Sequence, residues 1–235
     1  RSHHESLEHI RLALNRSEMV LHYQPKVNMR TGAVVGVEAL IRWQHPTQGL
    51  LAPAHFLPEI ENHPLAIAVG EWVIHAALTQ MQAWQAQGLP LPVSVNVGAR
   101  QLQQRDFVPR LKAILAEHPQ IKPDQLELEI TESFVMADRD RSFKAIADLK
   151  ALGVRLSIDD FGTGYSSLAY LQQLEVDKLK VDISFVRDMT RNSGNASIVK
   201  AVIALGHSLG LEIIAEGVEE AGQARYLRSL SCDVM

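Results

Sequence analysis

Hydrophobic positions along the chain follow two periods. Some short runs alternate apolar and polar residues or are almost wholly apolar, as β-strands are, and longer segments repeat every three to four residues, as amphipathic helices do. The strand-like runs are MVLHYQPKV, AVVGVEALIRW, LPVSVNV, QLELEIT, GVRLSID, DKLKVD and GLEIIAEG. The helix-like segments between them are EWVIHAALTQMQAWQAQ, FVPRLKAILAEH, DRSFKAIADLKALG and NASIVKAVIALGHSLG. This alternation predicts an α/β fold.

The connections between the runs narrow the fold further. The first two runs flank the turn-rich segment NMRTGA, which predicts an antiparallel hairpin. The later strand–helix units carry no Rossmann glycine fingerprint, so they favour a closed barrel over an open sheet. We therefore predict a TIM-like (β/α)8 barrel with an antiparallel first strand. The final segment SLSCDVM could begin the eighth strand.

The N-terminal segment is predicted to be a polar amphipathic helix. We assign residues 1–16 to this helix, which is either an interdomain linker or the first helix of the domain, and residues 17–235 to the domain itself. We favour a fragment of a longer protein. The apolar runs are too short to span a bilayer.

The polar residues of each predicted strand occupy alternate positions, so they share one phase, which is one face of the strand. Glu127 and Glu129 alternate with leucine and isoleucine, and Asp159 follows Ser157 in the same way. If the apolar phase packs against helices, the polar phase points into the barrel, and its last members meet at the carboxyl ends of the strands, where barrel enzymes place their active sites. Those last members are Glu38, Asn96, Glu129, Asp159, Asp160 and Glu216.

Such a set of carboxylates needs compensating charge. Lys180 and Arg42 would supply two positive charges, which is too few for five carboxylates. Oxygen ligands suit Mg²⁺ or Mn²⁺. Two such ions would form a clamp for phosphoryl transfer. Each acidic residue alone could be a helix cap or a solvated loop residue, and only the joint pattern predicts a metal site.

Composition excludes several other classes of protein. The chain is 46% hydrophobic and 21% charged, with a net charge of −4, which argues against a general nucleic-acid binder and predicts no direct DNA binding. Cys232 is the single cysteine, so a disulfide framework and a thiolate metal cluster are excluded. We expect a cytoplasmic domain, whose parent protein could be anchored to a membrane.

Ordered motifs place the chain close to a known family. Glu38-Ala39-Leu40 stands within GVEALIRW, and it is accompanied, in the family's order, by YQPKV, NVGARQ, ELEITES, SIDDFGTGYSSL, DKLKVD and AEGVE. From about Ser17 onward the chain resembles the EAL domain, the cyclic di-GMP phosphodiesterase module of bacteria. The resemblance implies a barrel with an antiparallel first strand. It also implies hydrolysis of one phosphodiester bond of cyclic di-GMP to linear pGpG, with two Mg²⁺ or Mn²⁺ ions and with Ca²⁺ as an inhibitor.

The resemblance also implies roles for individual residues. The first metal would be bound by Glu38, Asn96, Glu129 and Asp159, and the second by Asp159, Asp160 and, less directly, Glu216. Lys180 matches the lysine that holds the nucleophilic water, and with Glu216 and Glu38 it makes up the expected catalytic set. Substrate contacts would come from Gln24, Leu40, Arg42, Asp182 and Glu219. Glu132 matches the glutamate that anchors the DDFGTGYSSL loop.

Plainer roles remain open for three of these residues. Lys180 could form a salt bridge to Asp182, Glu132 could cap the following helix, and Glu219 could be an exposed helix residue. The resemblance further implies a homodimer and covalently linked upstream sensory or GGDEF domains.

Two departures from the family pattern bear on the substrate site. Gly98 stands where the family often has serine, and the chain ends before the family's QGY…P segment. The alternative functions are a catalytically inactive cyclic di-GMP receptor and an unrelated barrel metallohydrolase. The intact metal-ligand motifs favour the active phosphodiesterase.

Overall fold

The computed structural model describes residues 3–164 and 168–235. Residues 165–167 of the DDFGTGYSSL loop lie outside the described residues. The strands are β1 Met19–Val27, β2 Val34–His45, β3 Gly49–Leu51, β4 Val93–Asn96, β5 Leu126–Thr131, β6 Arg155–Phe161, β7 Lys178–Val181 and β8 Glu212–Ala215. The helices are α1 His3–Asn15, α2 Leu57–Ile60, α3 Leu65–Ala86, α4 Ala99–Leu102, α5 Phe107–Ala116, α6 Glu132–Ala137, α7 Arg139–Leu152, α8 Leu168–Gln173, α9 Ile183–Asp188, α10 Ser193–Ser208 and α11 Ala221–Ser229.

The chain forms two compact units. The first contains the residues up to Gln24 together with Val37–Leu126, and the second contains Pro25–Gly36 together with the residues from Glu127 onward. Within the described part of the chain, no helix combines the length and the apolar character that crossing a bilayer requires.

In the first unit, parallel strands pack with a long apolar helix. β2 and β4 are parallel, with Val37 opposite Val93, and β2 pairs antiparallel with the short β3. Helix α3 begins at Leu65, six residues before the predicted segment, so LAIAVG forms its first turns. It buries Val69, Val73, Ile74, Ala77, Leu78 and Met81.

In the second unit, β5, β6, β7 and β8 form a parallel sheet. The register places Glu129 opposite Ser157, and Lys180 opposite Ile214. Near the end of the chain, Val234 forms a parallel bridge with Ile214, so the segment predicted to begin a last strand does join the sheet.

The end of the first strand is antiparallel to this sheet. Asn28 forms an antiparallel bridge with Val234, and Val27 and Met235 exchange backbone hydrogen bonds of 2.8 and 3.0 Å. Since the segment at Val234 is parallel to β8, the end of the first strand is antiparallel to β8. This is the strand direction that the sequence predicted.

Helices cover the second sheet through apolar residues. Helix α7 buries Ile146 and Leu149, and α10 buries Val199, Val202 and Ile203. Asn192 caps α10 by accepting hydrogen bonds from the next turn, and Gly153 ends α7 in the left-handed conformation at φ +93°. The apolar phase of the strands therefore packs against helices, and their polar phase is left to form the site.

Candidate functional site

Strand β5 is buried on both faces although two of its six residues are glutamates. Glu127 is 3% exposed and Glu129 is 1% exposed. Lys26 Nζ lies 3.3 Å from a carboxylate oxygen of each, and Lys178 Nζ lies 2.7 Å from Glu127 Oε2. These ion pairs make the burial of the two carboxylates tolerable, since an unpaired buried charge would be strongly destabilising.

The neighbouring opposite charges set the direction of the pKa shifts of Glu127 and Lys178. Burial raises the pKa of Glu127, but Lys26 and Lys178 together outweigh burial and leave that pKa below its usual value. Burial lowers the pKa of Lys178, and the neighbouring Glu127 outweighs it, so the pKa of Lys178 is raised. The compensating cations predicted from the sequence, Lys180 and Arg42, therefore do not include Lys26 and Lys178, which the structure adds. Lys178 shares the polar phase of β7 with Lys180, but phase alone does not identify its pairing with Glu127.

Lys180 lies among three carboxylates. Its Nζ is 2.6 Å from Glu129 Oε2, 2.5 Å from Glu216 Oε1 and 4.0 Å from Asp159 Oδ1, and its side chain is fully buried. Three of the predicted site carboxylates are thus brought together around the ammonium group of a fourth predicted residue, Lys180. Asp182, which was considered as an alternative partner, instead accepts the backbone N–H of Ser184 at 2.8 Å and caps α9.

The two consecutive aspartates lie at an irregularity of β6. The pairing with β7 shifts register between Ile158 and Phe161, and Asp160 adopts a left-handed backbone with φ +55°. Consecutive strand residues normally point to opposite faces, and a β-bulge breaks that rule and redirects a side chain. The backbone N–H of Asp160 donates to Asp159 Oδ1 at 2.8 Å.

Asp160 lies in a crowded electrostatic environment. Its pKa is raised from 3.8 to about 6, mainly by burial and further by the carboxylates of Asp159 and Asp182, while Lys180 opposes the rise. A half-buried carboxylate beside two others is poorly compensated by one lysine, and a bound cation would stabilise its charged form.

Glu132 links α6 to the loop that follows β6. Its Oε2 accepts hydrogen bonds from the backbone N–H groups of Gly162 at 3.1 Å and Gly164 at 3.2 Å. The cap of α6 is Thr131, whose side chain accepts from Phe134 N, so the plain role of Glu132 as a helix cap is not what the structure has. Burial raises the pKa of Glu132, and the loop N–H groups oppose that rise.

Residues after β8 form a tight turn beside α9. Gly217 directly follows Glu216 and has φ +72°, and a Cβ at this position would overlap the side chain of Ile183. Glu219 is exposed, and its backbone N–H donates to Gln223 Oε1 at 2.8 Å. The turn fixes the end of β8, from which Glu216 reaches Lys180.

The remaining predicted residues belong to the first unit. Asn96 Nδ2 donates to Glu38 Oε1 at 3.0 Å, from the adjacent parallel strands β4 and β2. Arg42 Nη1 donates to Ile41 O at 2.8 Å, Leu40 is half-buried and Gln24 is exposed on β1. A carboxylate and an amide oxygen, held side by side, are suitable donors for a hard divalent cation.

Several known proteins are similar to this chain in sequence. Residues 7–235 match the EAL domain. The bifunctional diguanylate cyclase/cyclic di-GMP phosphodiesterase MucR of Pseudomonas aeruginosa is 44% identical over 228 residues, which are 97% of this chain and 33% of that protein. The signaling protein YkoW of Bacillus subtilis is 41% identical over 224 residues, 95% of this chain and 28% of that protein. The chain therefore spans about a third of the length of these curated relatives.

Solved structures share the fold. The PaMucR phosphodiesterase in complex with c-di-GMP has a TM-score of 0.94 at 44% identity, over 98% of this chain and 93% of that chain. The EAL enzyme Bd1971, in its cAMP- and cyclic-di-GMP-bound form, has a TM-score of 0.90 at 33% identity, over 99% of this chain and 64% of that one. The predicted fold class, a TIM-like α/β fold, is confirmed by this agreement. The chain belongs to the EAL domain family.

Proposed function

We propose that the chain is an active phosphodiesterase that hydrolyses one phosphodiester bond of cyclic di-GMP to give linear pGpG. The single observation that carries this proposal is the position of Lys180 within 4.0 Å of Glu129, Asp159 and Glu216. In an active enzyme this lysine can hold the attacking water, a role that a receptor which only binds the dinucleotide would not use. The names of MucR and PaMucR, which describe phosphodiesterases, support the substrate class.

Two divalent ions, Mg²⁺ or Mn²⁺, fit the chemistry of the residues. Every proposed donor is oxygen, and the raised pKa of Asp160 marks a carboxylate whose charged form a cation would stabilise. The first ion is assigned to Glu38, Asn96, Glu129 and Asp159, and the second to Asp159, Asp160 and Glu216. When bound, such ions polarise a phosphate oxygen and make water a better nucleophile at neutral pH.

Lys180 orients the attacking water in this proposal. Its ammonium group is held from two sides by Glu129 and Glu216, so its position does not depend on substrate. A donor fixed before substrate arrives can hold a water molecule at the phosphorus without reorganisation during the reaction. Glu216 and Glu38 complete the proposed catalytic set.

The cyclic dinucleotide is proposed to bind through residues that the metals leave available. Arg42 would donate to a phosphate oxygen, because its planar guanidinium can form two parallel hydrogen bonds. The other proposed contacts are Gln24, Leu40, Asp182 and Glu219. Ca²⁺ is proposed to inhibit, since it is larger and less demanding of octahedral geometry than Mg²⁺ and would misplace the water.

A product assay distinguishes the enzyme from the receptor. The purified chain is incubated with cyclic di-GMP and Mg²⁺ or Mn²⁺, and the nucleotides are separated by chromatography and identified by mass. Conversion to pGpG supports the proposal. Tight binding of intact cyclic di-GMP without conversion, measured in parallel by calorimetry, would identify the catalytically inactive receptor instead.

We also propose which domains are linked to this one, its oligomeric state and its location. Because the curated relatives are about three times longer, we propose that upstream sensory or GGDEF domains are linked to this one, and that it works as a homodimer in the cytoplasm. Direct binding to DNA is not part of the proposal. Light scattering on the purified chain measures its mass in solution and tests the homodimer.

A further inference from the structure

A cluster of two histidines and one glutamate lies in the first unit, apart from every residue proposed for hydrolysis. His75 comes from the middle of α3, while Glu117 and His118 directly follow α5. One potential ligand atom from each side chain lies within 4.8 Å of the other two. Because the members come from two helices distant in sequence, their meeting is a product of the tertiary packing of α3 and α5.

The distances are close to those of a filled site. His75 Nδ1 is 3.8 Å from Glu117 Oε2. Ligand atoms bound to one tetrahedral zinc ion at about 2.0–2.2 Å are about 3.4 Å apart. The separation of His75 and Glu117 is therefore slightly longer than in a filled site, and both side chains reach the surface, with His75 half-exposed and Glu117 exposed.

The third ligand, His118, is already oriented by the protein. It is buried, and its Nδ1 lies 2.8 Å from Gln82 Oε1 on α3, two helical turns after His75. Gln82 is in turn held by Gln120, whose Oε1 is 3.3 Å from Gln82 Nε2. A histidine that binds a metal usually has its other ring nitrogen hydrogen-bonded in this way, which fixes both the ring and its tautomer.

His118 lies beside both other members of the cluster. Burial lowers the pKa of His118, and the neighbouring His75 lowers it further, although Glu117 opposes the change. The two rings have centroids 6.3 Å apart at an interplanar angle of 60°, an edge-to-face arrangement that alone would also account for their contact.

We propose that His75, Glu117 and His118 bind one borderline divalent transition metal, with Zn²⁺ as the favoured ion. Two imidazoles and one carboxylate are a donor set that zinc prefers and that Mg²⁺ does not. The fourth position would be filled by water. The ion would join α3 to the end of α5 and stabilise the first unit, independently of the ions proposed for hydrolysis.

The test measures zinc binding to the whole chain while Mg²⁺ is in large excess, so that Mg²⁺ occupies the oxygen-rich residues. Calorimetry should show one equivalent of Zn²⁺ bound, and Zn²⁺ should raise the melting temperature by about 5 °C at concentrations near a hundred times Kd. Co²⁺ in place of Zn²⁺ should give visible absorption bands typical of a site with nitrogen ligands.

Variants assign the binding to the cluster. His75→Gln and Glu117→Gln alter half-exposed and exposed side chains, so both variants should fold normally. Neither should bind the one equivalent of Zn²⁺ or show the absorption bands of bound Co²⁺. Gln82→Leu should weaken binding by about tenfold or more through loss of the bond that orients His118. His9→Gln, which changes an exposed histidine of α1 in the same unit, is the matched control and should bind zinc like the unchanged chain.

Two results would overturn the proposal. The first is the absence of stoichiometric zinc binding by the unchanged chain in Mg²⁺. The second is zinc binding by His75→Gln and Glu117→Gln at unchanged affinity and stoichiometry. In either case the cluster is only an edge-to-face pair of imidazoles with a neighbouring carboxylate.

Discussion

Lys180 Nζ donates to Glu129 Oε2 at 2.6 Å, and both side chains are fully shielded from solvent. The two residues lie on β7 and β5, so their contact reaches across β6, which separates these strands. The residue paired with Glu129 on β6 is Ser157, whose small side chain is itself fully buried. Because Ser157 is fully buried, a larger side chain at this position would have to displace its neighbours.

Replacing this lysine should separate catalysis from metal binding. In Lys180→Met, turnover should fall by about 10²–10⁴-fold, because the group that orients water is gone. Affinity for Mn²⁺ should be unchanged or higher, since Lys180 competes with cations for Glu129 and Glu216. The metal-free chain should lose about 3–5 kcal/mol of stability, since its buried carboxylates lose a partner. Product chromatography, calorimetry and denaturant titration measure these three quantities.

Lys178→Met is the matched control for that variant. Lys178 lies on the same strand and in the same phase, but it pairs with Glu127 and Glu212 at 2.7 and 3.5 Å. Its loss should lower stability and leave turnover within about twofold of the unchanged chain. An equal loss of turnover in both variants would show that strand stability, and not the position of Lys180, controls the rate.

A charge-only change at Glu38 should weaken metal binding and activity together. Glu38→Gln keeps a carbonyl oxygen that can accept from Asn96 Nδ2, so the local structure should persist. Affinity for Mg²⁺ should fall by about tenfold or more because a charged ligand has become neutral. Calorimetry and the rate at saturating metal measure the two effects.

Glu18→Gln offers a comparison for Glu38. Glu18 Oε2 also accepts from a neutral donor, the indole N–H of Trp43, at 3.0 Å. Its amide variant should leave metal affinity and turnover unchanged. Unchanged metal affinity in Glu38→Gln would remove Glu38 from the proposed ligands.

Asp160→Asn should stabilise the metal-free chain and inactivate it. Asparagine tolerates the left-handed backbone at this position, and the change removes repulsion from Asp159 and Asp182. The melting temperature without metal should therefore rise, while hydrolysis falls by at least about a hundredfold because a ligand of the second ion is lost. Asp160→Gly, which also permits φ +55°, should be as inactive. Retained activity in either variant would contradict the assignment of Asp160.

Much of the fold could be predicted because its signals are local. The alternation of Leu126, Leu128 and Ile130 with glutamates defined β5, and the glycine at 153 marked the end of α7 within one residue. The start of α3 was misplaced, since LAIAVG is apolar on all sides and gives no periodic signal there.

The site was less predictable because its partners come from distant parts of the chain. The alternation of polar and apolar residues in β5 predicted that Glu127 and Glu129 share one face of the strand. The local sequence does not predict that Lys26, about a hundred residues earlier, pairs with both. The bulge at Asp160 was also invisible, because a register shift depends on the neighbouring strand β7 and not on the residues of β6 alone.

Metal removal should abolish hydrolysis reversibly. Excess chelator should stop the reaction, and Mg²⁺ or Mn²⁺ should restore it, because the proposed ligands are all oxygen and need a hard cation. Ca²⁺ should bind, as calorimetry would show, without restoring turnover. Full activity in chelator, together with no metal found by elemental analysis, would exclude metal-dependent hydrolysis.

The contact between Glu132 and the backbone of Gly162 and Gly164 predicts that Glu132 controls how much metal the reaction requires. Glu132→Ala removes an acceptor shared by both N–H groups, so the segment directly after Asp160 loses its attachment to α6. We expect a clear rise in the metal concentration that gives half-maximal rate, and a fall in activity much larger than the loss of stability. Glu132→Gln keeps one acceptor oxygen and should be intermediate. Metal titrations of the rate and thermal melts on the same preparations measure both effects.

The control for Glu132 is Asp138→Ala, which removes the cap of α7 in the same unit. Asp138 Oδ1 accepts from Arg141 N at 3.2 Å, so this variant should lose about 1 kcal/mol of stability with no change in the metal requirement. If Glu132→Ala behaves like Asp138→Ala, with lower stability and an unchanged metal titration, its two hydrogen bonds only hold the loop in place. A raised metal requirement in Glu132→Ala alone would instead show that the loop conformation controls how Asp160 meets its ion.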